Sequence, residues 1–166
     1  MPDAQRGLDG LGALQALIDR STRTATASVA ESIAFPDRQM TAAELVAFWR
    51  DARMMAMATV GPKGQPHLAP VHSEIDGTTL RLVIYDDTVR RLDLRTNPRV
   101  AFTTWKDGAA AIVYGKAREV PGSLRDARPG RSGHPRKVVT IEVALTRVYA
   151  MRSPERPSAP GGVPPS

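Results

Sequence analysis

The 166 residues include no cysteine. That absence excludes disulfides, thiolate zinc sites, iron–sulfur clusters, c-type haem attachment and cysteine nucleophiles together. Long apolar runs are missing too, and no stretch approaches the roughly 18 residues a membrane-spanning helix needs. The opening MPDAQRGLDG puts Asp3, Arg6 and Asp9 where a secretory segment would be apolar. The expectation is a soluble, cytoplasmic chain with no membrane partner. No Gly-x-Ser-x-Gly elbow, G-x-G-x-x-G turn or G-x-x-x-x-G-K-[ST] loop occurs. No catalytic side chain is nominated, so hard chemistry would fall to a bound cofactor.

What is present suits one compact domain with a tail. Apolar residues make up 42%, enough for a core. The net charge is +6, but it is unevenly spread. Residues 88–137 hold twelve Lys/Arg and four acids, so this window is strongly basic and the remainder slightly acidic. Such a field attracts a polyanion or a phosphorylated small molecule, or it is simply solvated surface. Nucleic acid is not the expected partner, because single-strand readers interleave basic and aromatic residues and this chain does not.

Residues 1–40 read as a helical or partly disordered leader, with Leu8, Leu11, Leu14, Leu17 and Ile18 on one helical face. Thr41 and Glu44 form a capping box that opens a helix over about 41–52. Six strand-like runs follow, at 54–60, 66–73, 78–85, 99–105, 109–119 and 137–151, divided by Gly- and Pro-containing turns. One short helix falls at about 88–96 and ends at Asn97-Pro98. The pattern predicts a mainly β fold, a small six-stranded antiparallel β-barrel with flanking helices over 41–152. Gly115, inside a strand, marks a barrel corner or a close backbone approach. Trp105 and Tyr114, beside hairpin turns, are expected to complete a core or a dimer interface. Residues 153–166 carry five prolines and two glycines and read as a disordered tail.

Two chemical features stand out. His67 and His72 lie five apart in an extended segment, which sends their side chains to opposite faces, and His134 sits in a Gly/Pro loop, so no metal site is expected. Thr88 and Arg90 stand at a helix start after a strand, where a hydroxyl, a guanidinium and free N–H groups clamp a phosphate. The alternative for that segment is an amphipathic connector with solvated arginines. Asp86 and Asp87 would repel the same phosphate unless turned away as caps.

The order of short motifs resembles the pyridoxamine 5′-phosphate oxidase-like split β-barrels, the flavin/deazaflavin oxidoreductases. The matching stretches are Met57–Val60, Gly61–His67, Pro70-Val71, Asp76-Gly77, Thr88–Arg90, Asn97–Val100, Val113–Ala117 and Thr140–Ala150. The resemblance implies a homodimer with a cofactor in each of two clefts between subunits: FMN, the deazaflavin F420, or less often haem. It implies a flavin- or deazaflavin-dependent oxidoreductase acting on a small organic substrate, or a non-catalytic flavin or haem binder on the same fold. Carried over by position, Thr88 and Arg90 would hold the cofactor phosphate. His67, Leu68, Ala69, Pro70 and Val71 would flank the ring system, and Thr59 would reach the same pocket. Arg91 stands where the pattern has an aliphatic residue, as support for Arg90 or a second phosphate contact. His72 replaces a large apolar residue. The C-terminal extension of true pyridoxamine phosphate oxidases is missing, which argues against vitamin B6 oxidation.

Overall fold

The computed structural model describes residues 2–127 and 135–154, with side chains from Gly7 onward. Most of the proline-rich 153–166 segment and His134 lie outside the described residues. Four α-helices flank one antiparallel sheet: α1 Pro2–Arg23, α2 Ala27–Ala30, α3 Ala42–Ala52 and α4 Val89–Thr96. The strands are β1 Met55–Val60, β2 Pro66–Val71, β3 Ser73–Asp76, β4 Thr79–Tyr85, β5 Arg99–Lys106, β6 Ala109–Glu119, β7 Arg125–Asp126 and β8 Lys137–Met151.

The expected strand over 66–73 is two strands. β2 pairs with β1 from Met55↔Val71 to Val60↔Pro66, whereas β3 pairs with β4 from Ser73↔Leu82 to Asp76↔Thr79. The order across the sheet is β2-β1-β5-β6-β8-β4-β3, with the two-residue β7 added on β8. The two edge strands are therefore consecutive in sequence and joined by one residue, His72. The curled sheet closes covalently at that seam rather than by a hydrogen-bonded ladder. This is a split β-barrel.

Local signals explain most of the elements. Thr41 and Glu44 form the reciprocal cap of α3, with Glu44 N–H donating to Thr41 Oγ1 at 3.2 Å and Thr41 N–H to Glu44 Oε2 at 2.7 Å. Gly77, at φ +55°, turns the β3–β4 hairpin against Gly10 of α1, where a Cβ on Gly77 would crowd the Gly10 Cα at 3.2 Å. At Gly115 the β6–β8 register shifts, and a Cβ there would lie 2.4 Å from Val143 Cγ1. The corner is thus a bulge pressed onto the neighbouring strand.

The leader is not separate from the barrel. Leu14, Leu17 and Ile18 are buried in the same cluster as Met57, Phe102, Val113 and Ile141, while Leu8 stays exposed. Buried Ser21 fixes the helix in place: its hydroxyl donates to the Leu17 carbonyl and accepts from Val148 N–H on β8. Burying these three apolar side chains contributes several kcal/mol at about 2 kcal/mol each. That is more than an isolated helix could supply for itself.

Candidate cofactor-binding site

The inward faces of β1 and β2 meet α4 at a small polar cluster. Thr59 on β1 and Asp93 on α4 are both 1% exposed. Thr59 Oγ1 donates to Asp93 Oδ2 at 2.6 Å, and His67 Nδ1 lies 2.7 Å from the same oxygen. Burial pushes the Asp93 carboxyl up. The hydrogen bonds from Thr59 and His67 and the nearby charges of His67 and Arg90 outweigh it, holding the group below the usual carboxylate range. An ionised carboxylate only accepts, so the proton in the short contact sits on His67 Nδ1 and Nε2 is the nitrogen left for other partners.

Arg90 completes this corner. Its Nε is buried and has no hydrogen-bond partner among the described residues. A buried guanidinium nitrogen without an acceptor is costly, because the group gives up its water and gains nothing in return. Thr88, two residues earlier, donates its hydroxyl to the Tyr85 carbonyl at 3.0 Å. Its neighbour Arg91 is occupied elsewhere. The Arg91 guanidinium grips Glu119 with two hydrogen bonds, at 2.6 and 3.0 Å, and donates to the Asp86 carbonyl. That fork raises the Arg91 pKa and lowers that of Glu119, in both cases chiefly through the shared hydrogen bonds.

The remaining residues of the second strand divide between two faces, as side chains on a strand must. His67, Ala69 and Val71 point inward, and the last two are buried. Leu68 and Pro70 point outward and line a pocket of about 520 Å³ with Met54, Ala56 and Trp105. Leu68 is 73% exposed and Trp105 70%. Together with Val60 and Tyr114 they make the outer sheet face unusually apolar for a surface.

The structure thus brings Thr59, His67 and Arg90 together, keeps Thr88 at the helix start, and puts Leu68 and Pro70 across the sheet. Asp93, the hub of the cluster, was not singled out by its spacing. Its position three residues after Arg90 on α4 was the only available signal. A second region was also not legible. At the barrel seam, Arg50, Arg53, His72 and Arg81 line a groove of about 670 Å³ with Trp49, Ser73, Glu74 and Val83. These residues come from α3, the seam, β3 and β4, and no linear pattern links them. Among the described residues no three His, Asp or Glu side chains stand together as a metal site. No helix is long and apolar enough to cross a membrane among those residues.

The basic window is partly neutralised by the fold. Arg91 and Arg95 pair with Glu119, Lys106 with Asp51, Arg118 with Glu142, and Arg136 with Asp87.

Several solved structures share this architecture. A conserved hypothetical protein from Mycobacterium tuberculosis aligns at 21% identity and TM-score 0.56, over 76% of this chain and 96% of its own. A FAD-binding protein from Mesorhizobium loti aligns at 16% and 0.51, over 68% and 93%. The haem storage protein of Vibrio cholerae aligns at 12% and 0.51, over 66% and 93%. At these identities the likeness establishes the fold alone. A comparison with curated proteins gives no match. The sequence pattern of the pyridoxamine 5′-phosphate oxidase family, however, matches residues 41–152, from the α3 cap to the end of β8 and most of the chain, and the protein therefore belongs to that family.

Proposed function

We propose that the protein is a flavin- or deazaflavin-dependent oxidoreductase that binds FMN or F420 in a cleft completed by a second copy of the chain. The observation that carries this reading is Arg90. A buried, unpartnered guanidinium nitrogen beside the first turn of α4 fits a phosphate ester, whose oxygens would satisfy it. The free N–H groups of that turn add to the attraction. Thr88 joins only by releasing the Tyr85 carbonyl, so Arg90 is the principal contact and Thr88 the adjustable one.

A bound flavin or deazaflavin supplies hydride transfer, chemistry no side chain can perform. The chain's own residues bind, orient and exclude water. Asp93 accepts from His67 Nδ1–H and fixes the orientation of the ring. Leu68, Pro70 and Trp105 offer apolar area that a second subunit would cover, shielding the cofactor ring from water. The protein's main contribution on this reading is placement of the reactants.

The test is a parallel titration of the purified protein with FMN and F420, followed by absorbance and fluorescence. Arg90→Ala should weaken the bound cofactor at least tenfold, in line with loss of a charge-assisted hydrogen bond. If neither cofactor binds at micromolar concentration, or Arg90→Ala leaves the affinity unchanged, the reading fails. Binding without turnover of NAD(P)H or reduced F420 would make the protein a carrier.

A further inference from the structure

Where β5, β6 and β8 run side by side, one stretch of their outer faces gathers positive charge. Arg99 on β5 stands directly opposite Lys116 on β6. Arg147 on β8 stands opposite Tyr114, two residues before Lys116 and on the same outward face. All three cations are exposed. Like charges placed directly opposite on neighbouring strands are unfavourable. A carboxylate on the third strand would relieve the pair, and β8 offers Thr146 and Arg147 there instead.

The bulge beside Gly115 produces this arrangement. Tyr114 pairs with Arg147 and Gly115 with Leu145, which leaves Thr146 as an extra residue on β8. Leu145 and Val148 are buried, so Thr146 and Arg147, two residues in a row, both turn outward. In a regular strand one of them would face the core. The Thr146 hydroxyl is occupied, donating to the Tyr114 carbonyl at 3.2 Å. The Arg147 guanidinium only approaches the Tyr114 ring, at 5.8 Å, and makes no hydrogen bond or ion pair among the described residues. The side chains of Arg99 and Lys116 make none either. The acids that follow on these strands are already taken, Glu142 by Arg81 and Arg118 and Glu119 by Arg91 and Arg95. The three cations line a pocket of about 250 Å³ with Tyr114, Gly115 and Thr146. No acidic residue lines it, and Asp76, at the hairpin turn whose Thr78 carbonyl accepts from Leu145 N–H, lies outside the lining.

We propose that this pocket binds a diphosphate group, free or esterified, held by Arg99, Lys116 and Arg147. Charge sets the class. Three unneutralised cations around one pocket match a multiply charged oxyanion rather than a lone carboxylate. Size sets the limit, because about 250 Å³ falls below the roughly 300–1,000 Å³ of pockets that enclose larger ligands. Each guanidinium fork can take two phosphate oxygens, and the lysine adds a mobile point charge. The bulge is the device that brings the third cation onto the face of the other two. This pocket shares no residue with the Arg90 corner, so it does not depend on the oxidoreductase reading.

The probe is inorganic pyrophosphate, titrated by calorimetry into the full chain at low salt, with orthophosphate as the smaller comparison. Arginine Nε–H resonances are followed in parallel. Pyrophosphate should bind about tenfold more tightly than orthophosphate and shift the Arg99 and Arg147 resonances. Arg147→Gln and Lys116→Gln should each weaken it about tenfold. Lys63→Gln, which neutralises an exposed lysine in the β1–β2 turn, should not. Without anion, Lys116→Gln should leave the thermal midpoint equal or higher, because the repulsion from Arg99 is gone. Pyrophosphate should raise the midpoint of the unaltered chain and not that of the variant. Pyrophosphate retained by Arg90→Ala, with FMN affinity unchanged in Arg147→Gln, supports a site distinct from the cofactor clamp. ADP bound as tightly as pyrophosphate assigns an esterified diphosphate, and ADP bound tenfold more weakly assigns the free anion. Equal affinity for pyrophosphate and orthophosphate, or an equal loss in Lys63→Gln, overturns the proposal. So does loss of pyrophosphate in Arg90→Ala with none in Arg147→Gln, since the anion would then sit at the clamp.

Discussion

The α4 corner and the barrel seam treat charge in opposite ways. At the corner, Asp93 is shut away from water and its charge is met by Thr59, His67 and Arg90. At the seam, Arg50 and Arg53 are exposed and make no hydrogen bond or ion pair among the described residues, Arg53 acting on the Asp51 carboxyl only through space. The reason is desolvation. A buried carboxylate must find donors inside the fold, whereas an exposed guanidinium keeps its hydration and can wait for a ligand. Arg90 breaks the pattern, because its Nε is buried yet unmet. That exception is what makes the corner look built for an anion from outside.

The comparison breaks most visibly at Asp93. Asp93→Ala removes the buried acceptor for Thr59 and His67 and the negative charge that Arg90 acts on, so unfolding in urea should show a loss of about 3 kcal/mol. No seam substitution should approach that value. The acid limb carries the same signature. The folded-state pKa of Asp93 lies below its unfolded value, so its stabilising contribution is complete above the ordinary carboxylate pKa. It fades as pH falls through the depressed folded-state value. Asp93→Asn should therefore flatten part of the stability loss below about pH 4. An unchanged pH profile would show that the carboxylate is not held ionised.

The next effect separates two adjacent arginines. Arg91→Met cuts the fork to partly buried Glu119 and should lower stability by about 1–2 kcal/mol, with cofactor affinity unchanged. Arg90→Ala should do the reverse, weakening the cofactor with little effect on the urea midpoint. Equal effects of the two variants on cofactor binding would return Arg91 to the clamp and dissolve the distinction drawn at the corner.

How far this could be read in advance depended on whether the signal was local. The α3 cap, the hairpin turn at Gly77, the helix stop at Asn97-Pro98 and the strand runs are short-range and legible, and their order carried the family resemblance. The break at His72 was not legible, because 66–73 reads as one extended run and only the change of pairing partner from β1 to β4 divides it. Nor was the docking of α1, since a stripe of leucines does not say what it covers. Asp93 looked like one more surface charge on a basic helix until α4 was laid against β1. The turn at Arg53, where α3 ends at φ +62°, had no linear mark at all, because an arginine after a helix is ordinary and only its φ is not.

The smallest effect sharpens the comparison from the seam side. His72→Phe removes the hydrogen bond to the Arg53 carbonyl but leaves that carbonyl accessible to water, so it should lower stability by less than about 1 kcal/mol. His67→Phe, one strand away, should be several times worse, because it strips a donor from a buried carboxylate that water cannot reach. Both residues are histidines bonded through Nδ1 at 2.7 Å, so bond length does not separate them. The acceptors do: a buried, ionised carboxylate at the corner and a neutral backbone carbonyl at the exposed seam. If urea denaturation ranked the two variants equally, burial would not be what distinguishes the corner from the seam, and the assignment of one as a paired anchor and the other as an open site would fall with it.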